Sequence, residues 1–172
     1  MIKLKNGDEL IIRYGIKEDA LEIINLVKQV MEEVEFFPST SEEFNITIEK
    51  EEKYIEETAL FLVAEINNKI VGCITLHRDN KIKTKHVGIL GITIFKKYSG
   101  LKIGSILMEE LIKWCRENEI EKIELEVFEK NTVAIGLYKK FGFIVEGVKN
   151  NAIKINDKYE DLLLLAKFLN LN

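Results

Sequence analysis

Proline occurs once, at Pro38, and no proline-, glycine- or serine-rich stretch interrupts the 172-residue chain. Linkers between domains are commonly built from such stretches, so residues 1–172 are expected to form one domain with a substantial core. Cysteine and histidine occur twice each. That scarcity argues against a disulfide framework and against a metal site, and Cys73 and Cys115 read as reduced core thiols. No apolar run approaches the ~20 residues that span a bilayer, and Met1-Ile2-Lys3-Leu4-Lys5 lacks the apolar stretch of a secretory signal. A cytoplasmic location with no membrane partner is the expectation. The net charge of −4 is spread along the chain rather than gathered in a block, which argues against nucleic acid as the principal ligand. Two phosphate signatures are also missing, G-x-G-x-x-G and G-x-x-x-x-G-K-[ST].

What is present has globular proportions, 47% hydrophobic and 31% charged residues. Ile2 to Lys5 and Glu9 to Tyr14 flank Asn6-Gly7, a strong hairpin signal, with Arg13 at its end. From Glu18 to Val34, apolar residues at helical spacing predict a first helix. Glu35-Phe36-Phe37-Pro38 breaks it, because the residue before proline is pushed out of the helical region. These aromatics read as packing between two helices rather than as a substrate lid. A charged helix follows from about Thr47 to Glu57, then Leu60 to Ile66 and Ile70 to Leu76 as a second hairpin through Asn67-Asn68-Lys69.

The chain is organised around His86 to Glu117. Val87, Ile89, Thr93 and Phe95 alternate with Gly88, Leu90, Ile92 and Ile94, so both faces of this strand are largely apolar, as in the middle of a covered sheet. Ser99-Gly100-Leu101-Lys102-Ile103-Gly104 then turns into a helix whose apolar face carries Ile103, Ile106, Leu107, Leu111, Ile112 and Cys115. Such a junction aims unpaired backbone N–H groups and the positive end of a helix dipole at one place. Phosphate is the natural occupant, although an ordinary strand-to-helix connection has the same pattern. Ile123 to Val127 predicts another strand. A short helix from Val133 to Phe141, capped by Asn131 or Thr132, ends at Gly142. Phe143 to Lys149 and Tyr159 to Lys167 close the chain as strands, linked through Asn156-Asp157. The order describes an α/β fold, a mixed sheet covered on both sides.

A second motif, Asn131-x-x-Ala134-x-x-Leu137-Tyr138-x-Lys140-x-Gly142-Phe143, follows the first at matched spacing. Together they resemble the GCN5-related N-acetyltransferase (GNAT) family, in element order from about Arg13 to Lys167 and most specifically from His86 to Phe143. The segments around Arg13, Asp19, Glu146-Gly147 and Tyr159-x-Asp161 look like the branch of ribosomal-protein, amino-acid and small-amine acetyltransferases. The resemblance implies a mostly antiparallel sheet with a splayed central strand pair, and acetyl-CoA as cosubstrate. The family's turn, Gln/Arg-x-x-Gly-x-Gly/Ala, holds Ser99, Lys102 and Gly104 here, so the usual side chain that fixes the turn is missing. Lys102 is expected to take the conformation of a first helical turn.

By that resemblance the backbone of Gly100, Leu101, Lys102, Ile103, Gly104 and Ser105 holds the pyrophosphate, with Lys102 as an added cation. The acetyl-pantetheine arm lies between Leu90 to Ile94 and Leu125 to Phe128, along Ile92, Thr93 and Ile94. The N–H near Ile92 is the candidate oxyanion donor. Tyr138 is the candidate general acid, against the alternative of a core tyrosine. Asn131 binds the arm, caps its helix, or does both. The base stays open among Glu126, His86 and Glu35, and Tyr159 and Asp161 border the acceptor or stabilise the last hairpin. The implied activity is acetyl transfer to a primary amine by direct attack in a ternary complex. The alternatives are a ribosomal-protein N-terminal acetyltransferase and an acyl-CoA-binding module without transfer. The edge strands leave a homodimer open.

Overall fold

The computed structural model describes residues 1–169. Eight strands and four α-helices follow one another as β1 (Ile2–Lys3), β2 (Glu9–Tyr14), α1 (Ala20–Glu33), α2 (Ile48–Glu57), β3 (Leu60–Ile66), β4 (Lys69–Arg78), β5 (Val87–Ile94), α3 (Ile103–Glu117), β6 (Lys122–Phe128), α4 (Thr132–Lys140), β7 (Ile144–Ile155) and β8 (Lys158–Phe168). The strands form one mixed sheet in the order β1-β2-β3-β4-β5-β6-β8-β7. β5 and β6 run parallel, whereas β1 with β2, β2 with β3, β3 with β4, β6 with β8 and β7 with β8 are antiparallel. The expected mixed, mostly antiparallel α/β architecture is therefore present. The chain contacts gather into two compact units.

The first unit holds Met1–His77 and Gly91–Ile112. Its hairpin between β3 and β4 turns on Asn67 and Asn68, both at positive φ (51° and 58°), the geometry that matches strand twist and that asparagine tolerates. Arg13 on β2 donates two hydrogen bonds to Asp19, at 2.7 and 2.9 Å, and one to Glu65 at 2.9 Å. Burial alone would raise the Asp19 carboxyl, but the bonds from Arg13 and from the Ile16 N–H hold it below the usual range. This pair fixes the entry into α1, so Arg13 has a structural task. Thr47 caps α2, its hydroxyl accepting from the Lys50 N–H at 3.3 Å.

The apolar face of α3 is wider than its periodicity predicts, since Met108 is as fully buried as Leu107 and Leu111. Gly72 on β4 lies so close to β5 that a Cβ there would meet Ile94 at 2.9 Å and the Thr93 carbonyl at 3.0 Å. Backbone cannot rotate out of the way as a side-chain tip can. Gly72→Ala is therefore expected to destabilise by about 1–3 kcal/mol through overpacking, read from the midpoint of a urea titration.

The second unit holds Arg78–Leu90 and the chain from Lys113 on. Arg78 donates to the carbonyls of Lys85 and Asn118, at 2.6 and 3.1 Å, tying the polar turn after β4 to the end of α3. β6 pairs with β8 from Lys122 to Phe128. With β5 its register covers only Val87–Ile89 against Lys122–Glu124, although both strands run on beyond it. Ile123, Leu125 and Val127 are buried and Glu126 is exposed, the alternation expected of a strand with one covered face.

Two expectations need correction. The central strand is not covered on both faces, because Ile89 is 56% exposed while Gly88 and Leu90 are buried. β7 does not end at Lys149 but continues to Ile155, past a shift of register between Lys149 and Ile153, and turns into β8 on Asn156 and Asp157, both at positive φ. The added residues sit on a largely exposed ribbon where polar side chains meet water. Cys73 and Cys115 are both buried and free, as expected, and burial pushes each thiol up to about 12. Among the described residues no helix is long and apolar enough to cross a membrane.

Candidate active site

In the first unit, β5 leads through a short 3-10 turn at Lys96–Tyr98 into Ser99-Gly100-Leu101-Lys102 and then α3. Gly100 has φ +79° and Lys102 φ +65°. The expectation that Lys102 takes the conformation of a helical first turn is thus wrong; it stands just before the helix in the left-handed region, where the family's glycine belongs. Its carbonyl accepts the first helical hydrogen bond, from the Ile106 N–H at 3.0 Å. Among the described residues the amides of Lys102, Ile103 and Gly104 have no acceptor. Successive amides beside a left-handed residue at a helix start form a concavity suited to an anion, so the backbone fits a pyrophosphate even though a lysine replaces the glycine. Left-handed geometry costs a residue with a Cβ roughly 1–2 kcal/mol, partly offset by glycine's greater freedom when unfolded. Lys102→Gly is expected to raise Tm by about 2–4 °C in a thermal melt.

Farther back on β5, the Phe95 N–H bonds to the Val71 carbonyl on β4 at 3.0 Å, and the Thr93 carbonyl lies against Gly72. Backbone polar groups alternate along a strand. The N–H groups of Ile92 and Ile94 consequently point to the edge opposite β4. Gly91 is a further close approach, since a Cβ on it would meet the Thr75 hydroxyl oxygen at 2.9 Å.

In the second unit, Asn131 caps α4, its Oδ1 accepting from the Ala134 N–H at 3.2 Å. The cap is real, and the Nδ2 donors stay uncommitted among the described residues. Tyr138 is buried at 6% exposure, its ring 5.7 Å from that of Phe143. Burial pushes its phenol up to about 12. Among the described residues its hydroxyl has no hydrogen-bond partner, and no fully buried side-chain oxygen is left unsatisfied. The hydroxyl is therefore the part of the ring that solvent, or a ligand, can reach.

The base candidates separate by environment. Glu126 is exposed and ion-paired with Lys149 on β7. His86 uses its carbonyl to accept the N–H groups of Glu121 and Lys122, at 2.8 and 3.2 Å, seating the start of β6. Glu35 is exposed. Asp161 accepts from the Asn151 N–H at 2.7 Å, bracing the β7–β8 ribbon, and Tyr159 is exposed.

Sequence reasoning missed a polar group in the first unit. Tyr54 on α2 lies 2.6 Å, Oη to Nε2, from His77 on β4, with ring centroids 5.0 Å apart, and it meets Phe61 edge-on at 6.1 Å. Glu51, one turn earlier on α2, is 6% exposed. The signal lay in β4, where Cys73, Thr75 and His77 share one face while Ile74 and Leu76 take the other.

The model of the acetyltransferase (GNAT) family matches residues 24–143. The L-amino acid N-acetyltransferase AaaT of Escherichia coli (strain K12) is 34% identical over 108 residues, which cover 62% of this chain and 66% of that protein. The crystal structure of the acetyltransferase of the GNAT family from Streptococcus pneumoniae superimposes with a TM-score of 0.88 at 30% identity, over 94% of this chain and 100% of that one. The yncA protein from Salmonella typhimurium, solved with its cofactor acetyl-CoA, shares the fold at a TM-score of 0.85 and 15% identity, over 95% and 96% of the two chains. The chain belongs to the GNAT acetyltransferase family. It spans slightly under two thirds of the curated E. coli relative.

Proposed function

We propose that this chain transfers the acetyl group of acetyl-CoA to a primary amine of a small molecule or peptide, by direct attack in a ternary complex, with residues 1–172 acting as one catalytic domain. Membership of the family and the acetyl-CoA of a structural relative support the cosubstrate. The backbone from Gly100 to Ser105 holds the pyrophosphate and Lys102 adds a cation. Ile92 and Ile94 offer their outward N–H and C=O groups to the pantetheine arm and Asn131 offers its amide, whereas the Thr93 backbone, expected to join them, is turned toward β4. Bound there, acetyl-CoA supplies an activated acyl group on a thiol leaving group.

The observation that carries the reading is Tyr138, a phenol held protonated by burial whose hydroxyl is committed to no other group among the described residues. Such a group can give its proton to a departing thiolate. The Ile92 N–H stabilises the charge that develops on the carbonyl oxygen; in other enzymes one such donor contributes about 2.7–4 kcal/mol. Glu126 takes the proton from the amine, after release from Lys149. The uncommitted Tyr138 hydroxyl also argues against a module that only binds acyl-CoA. Thiol release from acetyl-CoA across polyamines, amino acids, aminoglycosides and short peptides, including a ribosomal-protein N-terminus, is the test. Release with one acceptor class supports transfer, and release with none in a protein that binds CoA contradicts it.

A further inference from the structure

Glu51 is more than nine-tenths buried, yet its carboxylate has no hydrogen-bond or ion-pair partner among the described residues. Among the described residues no fully buried side-chain oxygen lacks a partner, so the Glu51 carboxylate keeps a solvent-accessible edge. A buried carboxylate without a partner is costly, and an incoming cation removes that cost. The surroundings lead toward the reacting end of β5. Tyr54 stands one turn along α2 and bonds His77; Thr75 lies on the same face of β4, and its hydroxyl is the atom a Cβ on Gly91 would strike. Gly91 precedes Ile92, the candidate oxyanion donor. An acid, two aromatic rings and a hydroxyl thus lie between α2 and the stretch of β5 that carries Gly91 and Ile92.

We infer that Glu51, flanked by Tyr54 and His77, forms the acceptor subsite and receives the amine as its ammonium ion. The inference rests on the transferase reading above and narrows its substrate class. The aromatic faces favour a cation, while the carboxylate opposes any acceptor that carries its own carboxylate next to the amine. The class is an alkyl diamine or polyamine, or another amine without a neighbouring carboxylate, rather than a free amino acid. The neighbours that interact with Glu51 do not supply a competing cation: Tyr54 is a phenol and Cys73 a thiol that burial keeps neutral, and burial lowers the His77 imidazole, favouring its uncharged form.

Burial raises the Glu51 carboxyl above the usual range. The folded state therefore favours its protonated form and loses stability as pH rises through the ordinary carboxylate range. Glu51→Gln should fold, and be at least as stable as the parent at pH 8. The experiment is calorimetric titration of 1,4-diaminobutane and of an L-amino acid into the CoA-saturated protein, parent and Glu51→Gln. The parent is expected to bind the diamine at least tenfold more tightly than the amino acid, and Glu51→Gln to weaken the diamine at least tenfold while CoA affinity is unchanged. Tyr54→Phe, which removes the hydroxyl bonded to His77, is expected to weaken the diamine severalfold. Equal diamine binding in parent and Glu51→Gln, tighter binding of the amino acid, or no amine binding by a CoA-bound parent would overturn the inference. Amine binding needs no turnover, so its failure is distinct from failure of transfer, which thiol release reads.

Discussion

Tyr138→Phe is expected to lower kcat by about 10²–10⁴-fold, the usual contribution of a general acid, while leaving the KM for acetyl-CoA and the Tm close to those of the parent. The stability half of this expectation follows from packing. Phenylalanine keeps the ring that meets Phe143 at 5.7 Å, and the hydroxyl it loses has no partner among the described residues, so no buried group is orphaned. The kinetic half follows from the proton. Burial pushes the phenol up to about 12, so Tyr138 stays protonated at neutral pH and, in the proposed reaction, can donate to the departing thiolate. The phenylalanine variant offers no donor. Stopped-flow or steady-state thiol release at saturating acetyl-CoA reads the difference. A variant with full turnover would make Tyr138 a core residue and return the donor role to water.

The second large effect is on affinity. Gly104→Val places a β-branched side chain at the second residue of α3, beside the amides of Lys102, Ile103 and Gly104 that lack acceptors among the described residues. An anion held by several backbone N–H groups needs their close approach, and a side chain standing among them lengthens each bond. Acetyl-CoA affinity is expected to fall at least tenfold, about 1.4 kcal/mol, in a protein with unchanged circular dichroism. The contrast with Lys102→Gly is informative. That change should stabilise the fold by relieving the left-handed lysine at φ +65°, without blocking the amides. If both variants bound acetyl-CoA as the parent does, the pyrophosphate would lie elsewhere.

Much of the fold was legible in the sequence because its signals were local. The 3.6-residue period of α3, the Asn67-Asn68 turn, Asn131 at the start of α4 and Gly142 at its end each depend on a few neighbouring residues. Legibility failed where tertiary context decided. Nothing local shows that Ile89 lies 56% exposed in the middle of the sheet order, since an apolar strand looks the same whether or not its second face is covered. Lys102 misled for a related reason: lysine adopts left-handed geometry rarely, and only the surrounding turn forces it there.

The candidate site divides in the same way. The proposed cofactor side was read from motifs, because helix starts and caps are sequence-local. The group of Glu51, Tyr54, Thr75 and His77 could not, since α2 reads as a uniformly charged helix and the residue it buries is one glutamate among five acidic residues from Ile48 to Glu57. Arg13 and Asp19, which looked like markers of a subfamily, turn out to be partners in the ion pair that anchors α1. A family motif can be kept for packing as well as for chemistry.

Calorimetric titration of acetyl-CoA into the folded protein decides whether the amides between Gly100 and Ser105 bind it. Saturable binding at one site per chain, weakened at least tenfold in Gly104→Val, is the predicted result. A folded protein that takes up no detectable acetyl-CoA, or one that binds it equally well with valine at position 104, would contradict the account.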